Sequence, residues 1–263
     1  MNDSSQHYKP TKVDNGIMPT PACLYHLRAC SYSDDLPFLL SLAEKKRGKI
    51  LEIGCGTGRV LRALSEKGFT AYGIDIWPEA LLEAKKKASS AIVSKQDVRR
   101  LNLKQNFDLI LMTFNVLELI ESFEDKKIAL ENIRTHLKPD GVLCIDTTLF
   151  DIDLFRRNQP EIYLRSFAID DRLEALVFFR ATRTADMQRS ESQFRYLVRE
   201  LAGERTLGEI TETFIVSPLT FEQLQDLLTK CGFKIKSIFS DYSGKDFDPE
   251  NDRHALVLAV LEG

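Results

Sequence analysis

The sequence predicts an α/β fold, a mostly parallel sheet with helices on both faces, interrupted by an inserted antiparallel β meander. Apolar runs of strand length alternate with helical patterns up to about residue 148, the order that parallel sheets require. Gly54, Gly56 and Gly58 stand between the first of these runs, Ile50–Ile53, and the helical pattern Val60, Leu61, Leu64. Past residue 150 the period drops to two, with Phe194, Tyr196 and Val198 alternating with Arg195 and Arg199.

Each element has a local reason. Residues 1 to about 20 are polar and carry Pro10, Gly16, Pro19 and Pro21, so a mobile arm or lid is expected. Residues 22–47 read as helical, with Leu36, Leu39, Leu40 and Ala43 as the apolar stripe. The helix after the glycines closes at Gly68, and Thr70–Asp75 reads as a second strand. Pro78 opens the next helix at a position where a missing N–H costs nothing. A short third strand precedes Ser94–Val98, and Phe107–Met112 is a fourth that runs into a loop ending at Asn115. Ser122 with Asp125 resembles a capping box for the helix bearing Leu130, Ile133 and Leu137. Lys138–Gly141 reads as a turn ahead of a fifth strand, Val142–Asp146.

The meander is expected from segments near 172–184, 189–200 and 206–216, joined by turns at Ile169–Arg172 and Ala185–Gln188. Its arginines alternate with acids, which reads as a solvated β surface. Thr220 and Gln223 form a second capping box, with Leu219 against Leu224 as its staple. That helix stops at Gly232, and Phe233–Phe239 and His254–Leu261 are the last two strands. The expected domains are an arm at 1–35, a main domain at 36–150 plus 217–263, and an insertion at 151–216 that roofs a pocket or forms a dimer interface.

The chain has 263 residues, 43% of them apolar and 29% charged, the balance of a globular enzyme. A net charge of −3 gives no electrostatic case for nucleic acid. The five cysteines show no metal-type pairing and read as reduced, in a cytoplasmic protein. No apolar run reaches membrane-spanning length. A monomer and a homodimer both fit.

The glycine turn narrows the chemistry. Dinucleotide binders want a small residue where Arg59 stands, and the Gly-Lys-Ser/Thr of a P-loop is absent. What is left is Glu52-x-Gly54-x-Gly56-x-Gly58, followed by Asp75 at the second strand end, Asp97-Val98 after the third, Met112 at the end of the fourth, and Gly141 before the fifth. This ordered set resembles the class I S-adenosylmethionine-dependent methyltransferases over about residues 32–149, and again in the last forty. The resemblance implies a Rossmann-like seven-stranded methyltransferase sheet whose last strand is antiparallel, with S-adenosyl-L-methionine as cofactor.

It also implies roles. Glu52 and the Met112 carbonyl face the cofactor's ammonium, Gly54, Gly56 and Gly58 let its backbone neighbour approach, and Asp75 accepts the ribose hydroxyls. Ile76 lies beside the adenosyl group, Asp97 and the Val98 N–H meet the adenine, and Tyr32 covers the cofactor from the N-terminal side. Trp77 either lies on the adenine or packs as a helix staple. Asn115, Glu118 and His26 are the candidates for the acceptor side. The loop Met112–Leu119 resembles that of small bacterial N-methyltransferases acting on amino sugars or peptide amines, although those acting on sugars carry a His where Glu118 aligns. The implied reaction is in-line methyl transfer to a small-molecule or peptide acceptor, at nitrogen. The alternatives are a macromolecular methyltransferase for tRNA or protein, against which Asn115-Val116-Leu117-Glu118 stands where an Asn/Asp-Pro-Pro-Tyr/Phe motif would be, and a non-catalytic scaffold of the same fold.

Overall fold

The computed structural model describes residues 7–10, 18–150, 160–184, 189–202 and 205–263. Among them the elements run β1 (His7–Pro10), α1 (Pro21–Cys30), α2 (Leu36–Lys46), β2 (Ile50–Ile53), α3 (Arg59–Glu66), β3 (Ala71–Asp75), α4 (Pro78–Lys87), β4 (Ile92–Lys95), β5 (Phe107–Met112), α5 (Phe123–His136) and β6 (Leu137–Thr148). There follow β7 (Ile162–Ala168), β8 (Leu173–Arg183), β9 (Ser190–Glu200), β10 (Thr206–Val216), α6 (Phe221–Lys230), β11 (Phe233–Phe239) and β12 (His254–Leu261). The expected turn Ala185–Gln188 and most of the polar arm lie outside the described residues.

The chain divides into two compact units. One comprises Tyr32–Asp151 with Ser217–Gly263, the other Met1–Ser31 with Ile152–Val216. The larger unit holds a seven-stranded sheet of order β11-β12-β6-β5-β2-β3-β4, in which β12 alone runs antiparallel to its neighbours. Strands buried on both faces need apolar side chains at every position. Accordingly Leu51, Ile53, Ile110 and Met112 face the core under α5 and α6, while Ile50, Leu109 and Leu111 face the core under α2 and α3.

The capping signals resolve differently. At α6 both halves of the box form, Gln223 N–H to Thr220 Oγ1 at 3.2 Å and Thr220 N–H to Gln223 Oε1 at 2.9 Å. At α5 only half forms: the Asp125 N–H reaches Ser122 Oγ, but the Asp125 side chain accepts from Arg99 instead. The stretch 22–47 is two helices, broken at 31–35. β6 begins at Leu137, which pairs with Phe107 of β5, and the expected turn Lys138–Gly141 falls in the register shift between that pair and Leu109–Val142.

The smaller unit is a five-stranded antiparallel sheet of order β1-β10-β9-β8-β7. The N-terminal residues up to Ser31 group with the insertion in this unit. Its β1 pairs with β10, and Leu24 of α1 packs with Ala175, Val177, Tyr196 and Ile210. A buried polar triad locks α1 down: Arg28 Nε donates to Tyr196 Oη at 2.8 Å, Tyr196 Oη to Glu212 Oε2 at 2.9 Å, and Arg28 lies 3.3 Å from the same oxygen. Arginines on the sheet surface are matched by acids, Arg195 with Glu161 and Glu209, and Arg199 with Glu174.

Candidate functional site

Open α/β sheets bind ligands outside the carboxyl ends of their strands. In the larger unit, the ends of β2, β3, β5 and β6 gather the polar groups that follow. Gly54, Gly56 and Gly58 have φ of 69°, 50° and 82°, the left-handed region that glycine enters without penalty. Two of them also make room for protein. A Cβ on Gly54 would lie 2.5 Å from Val116 Cγ2, and one on Gly58 would lie 2.9 Å from the Ala84 Cβ of α4.

The amides of the turn are engaged internally. The N–H groups of Gly54 and Cys55 donate to the Ile74 carbonyl at 2.8 and 3.0 Å. That of Gly56 donates to Asp75 Oδ2 at 2.7 Å, and that of Gly58 to the Cys55 carbonyl at 2.9 Å. A phosphate cradle works by aiming free amides at the anion. This turn offers four fewer, which fits a guest without a phosphate at that point.

What the turn offers instead is an unpaired carboxyl oxygen. Glu52 is 4% exposed, and its Oε2 has no hydrogen-bond partner. Burial pushes its carboxyl up to about 8, against the pull of Arg59, with Asp35 and Asp75 adding to the push. Arg59 itself is held by Asp35 through two contacts of 2.6 Å. Asp35 and Asp75 therefore act on Glu52 while Arg59 is already paired with Asp35, and the neighbourhood favours an added cation. The Asp35 carboxylate forms this pair and does not cap α2.

Asp75 closes the turn through Gly56 and also accepts the Trp77 N–H at 2.9 Å. Burial raises its carboxyl, opposed by these amides. The Ile76 N–H acts on it as well, and these three amides leave part of the carboxylate's acceptor capacity open. Trp77 caps the start of α4, and Ile76 is 47% exposed beside it. The Asp97 carboxylate differs from expectation. Both its oxygens are gripped by Arg99, at 2.5 Å for the closest contact, and despite burial these bonds hold it below the usual carboxylate range. Val98 is buried and Met112 is fully so, opposite Ile145. Tyr32 lies 5.7 Å from the Phe114 ring, with Arg59 5.6 Å from the Tyr32 centroid.

The acceptor candidates are turned inward. Asn115 Oδ1 and Glu118 Oε1 both accept the Thr148 N–H, at 2.9 and 2.6 Å, and Thr147 Oγ1 also donates to Glu118. Glu118 is 4% exposed, so it is neither solvated nor open at the rim. Burial pushes its carboxyl up to about 7, and burial pushes the neighbouring ammonium of Lys126 down to about 8. His26 stands on α1, half-buried, in the smaller unit.

Sequence reasoning missed three residues of this cluster. Asp146, at the end of β6, accepts from His254 Nε2 at 2.7 Å, from Tyr242 Oη at 2.8 Å and from the Phe114 N–H at 2.9 Å. A carboxylate ending a parallel strand and a histidine opening the last strand were the available signals.

The residues fit the cofactor that the sequence implies. An unpaired, buried Glu52 oxygen suits an ammonium, Asp75 retains acceptor sites for hydroxyls, and exposed Ile76 offers an apolar face. Comparison with known proteins agrees. A family model described as a methyltransferase domain matches residues 24–238. The chain is 24% identical over 223 residues to dTDP-3-amino-3,6-dideoxy-alpha-D-glucopyranose N,N-dimethyltransferase of Streptomyces fradiae, covering 84% of this chain and 82% of that one. It is 27% identical over 216 residues to the cypemycin N-terminal methyltransferase of a Streptomyces species, covering 81% and 82%. A crystal structure of an S-adenosylmethionine-dependent methyltransferase from Clostridium acetobutylicum shares the fold, with a TM-score of 0.75 at 20% identity over 92% of this chain and 98% of that one.

Proposed function

Because the chain belongs to the methyltransferase-domain family and is an S-adenosylmethionine-dependent enzyme, we propose that it methylates an amine nitrogen of a small molecule or a peptide. The observation that carries the cofactor half of this reading is Glu52, a buried carboxyl with an unpaired oxygen beside a turn whose amides are already engaged. The acceptor half draws support from one relative named for N,N-dimethylation and another named for an N-terminus, and from the buried carboxyls of Glu118 and Asp146 behind the rim.

When bound, the cofactor supplies a methyl group on a positively charged sulfur, so alignment matters more than acid–base help. Glu52 holds the cationic amino-acid end. Asp75 offers its open lone pairs to the ribose hydroxyls, while its engaged oxygens keep the turn in shape. Ile76 and the Val98 N–H serve the adenine, and Asp97 acts by holding Arg99 and the short 3-10 turn that carries Val98. Met112 brings β5 to the ammonium end. Tyr32 covers the methyl-donor side with Phe114. Asn115 and Glu118 shape and charge the acceptor rim through Thr148 and do not touch the acceptor. His26 takes no part in this scheme.

Calorimetry with S-adenosylhomocysteine tests the cofactor half: the wild type binds, and Asp75→Ala weakens binding. An amino-sugar nucleotide and a peptide with a free N-terminal amine test the acceptor half by mass spectrometry. Absence of binding by the wild type refutes the first half, and transfer only to hydroxyl-bearing analogues refutes the second.

A further inference from the structure

Two consecutive non-glycine residues, Phe114 and Asn115, have φ of 59° and 63°. Side chains with a Cβ enter that region only when their surroundings hold them there. Asp146 does the holding. Its Oδ2 accepts the Phe114 N–H at 2.9 Å, and its backbone carbonyl accepts the Asn115 N–H at 3.2 Å. One residue thus ties both amides of the strained turn.

Asp146 is in turn tied by two partners from the last hairpin. Tyr242 donates its hydroxyl to Oδ2, and His254 Nε2 lies 2.7 Å from Oδ1. The other ring nitrogen, Nδ1, lies 3.0 Å from the Ser240 carbonyl. A carbonyl only accepts, so Nδ1 carries a hydrogen. The Asp146 carboxylate already accepts from the Phe114 N–H and the Tyr242 hydroxyl, and Nε2 faces its other oxygen, so a hydrogen on Nε2 completes its set of donors. The geometry fits a doubly protonated ring.

We propose that Asp146, Tyr242 and an imidazolium at His254 form a positioning device that keeps the Phe114–Asn115 turn left-handed and so holds the acceptor rim against the glycine turn. The link to the glycine turn is steric. Val116, the next residue, fills the space left by the missing Cβ of Gly54. Asn115 and Glu118 meet on the Thr148 amide, so the two share one anchor. The importance of the device for methyl transfer rests on the function proposed above; the device itself does not.

The charge of His254 sets the pH at which it works. The hydrogen bond to Asp146 raises the imidazole above its ordinary 6.5, with burial opposing. Stabilisation by such a group is complete below the unfolded value and is lost as pH rises through the folded one. The titratable groups facing the pair are Cys144 on β6, Glu118 on the rim, Tyr242 after β11 and Tyr32 ahead of α2. Burial pushes the thiol and both phenols up, so these stay neutral. Glu118, raised to about 7, is the neighbour that changes charge, and a Glu118→Gln background separates its titration.

The test is NMR on the full chain. Imidazole nitrogen shifts followed against pH should report a His254 that titrates above 6.5 in the wild type, so that the doubly protonated form predominates at pH 6.5. Amide exchange at Phe114 should accelerate at least about tenfold in His254→Ala, because hydrogen bonds to charged groups are commonly worth that much. Tyr242→Phe, which keeps the ring and removes one donor, should give a smaller acceleration. It also serves if His254→Ala fails to fold. A ring that is mostly singly protonated at pH 6.5, or unchanged Phe114 exchange in variants that fold, overturns the proposal. Calorimetry with S-adenosylhomocysteine runs beside it. Binding by the wild type with unchanged exchange removes the device alone, while the expected exchange without binding removes the proposed function alone.

Discussion

Replacing Glu52 with glutamine should abolish a proton release that accompanies cofactor-product binding. The Glu52 carboxyl is pushed up to about 8 by burial, so at pH 7 only about one molecule in ten carries the charge. A guest with an ammonium beside the unpaired Oε2 favours the ionised form, and binding at pH 7 should then release close to one proton. The same group makes the unliganded protein less stable as pH rises. Between 4.5 and about 8 the folded chain keeps a proton that the unfolded chain has lost, so the slope of stability against pH is negative there. At about 1.4 kcal/mol per pH unit, the full effect reaches up to about 5 kcal/mol. Calorimetry with S-adenosylhomocysteine in phosphate and in Tris reads the released proton as a buffer-dependent heat. Melting curves across the same pH range read the stability term. Equal heats in the two buffers for the wild type, or an unchanged proton release in Glu52→Gln, would refute the reasoning. A variant whose melting temperature falls with pH as steeply as the wild type's would refute the linkage.

Two other perturbations follow from packing. Gly54→Ala should destabilise the larger unit by more than the roughly 1–2 kcal/mol of left-handed backbone, because the new methyl meets Val116 at 2.5 Å. Adding Val116→Ala should recover the steric part alone, and a single variant that melts with the wild type would contradict this. Tyr196→Phe should cost about 1–3 kcal/mol by leaving Arg28 and Glu212 with one partner fewer in a buried setting. Proteolysis of the α1 segment should accelerate, and an unchanged digestion rate would rule the triad out as its anchor.

The sequence made the larger unit legible because its determinants are local. Apolar runs such as Phe107–Met112 announce strands buried on both faces, and glycines at 54, 56 and 58 announce backbone that other residues avoid. What stayed hidden depends on partners distant in the chain. β7 is exposed along nearly its whole length and has no alternation to read. Lys138–Gly141 carries turn residues, yet Leu137 before it already pairs with Phe107 of β5, which the local sequence does not announce. Glu118 looks like a solvated acid until Thr147 and Thr148 are placed beside it. Asp146 and His254 are 108 residues apart and meet only through the register of β6 with β12. Arg28 looks like part of a loose arm until Tyr196 and Glu212 are in place.

Gly54 and Gly58 are small chiefly so that Val116 and Ala84 can press against them. A descendant that had abandoned methylation would be compelled to retain both, on pain of misfolding. Intact glycines in a genome survey therefore certify architecture. Vocation is better judged from position 52, where one carboxyl oxygen has no partner in the scaffold.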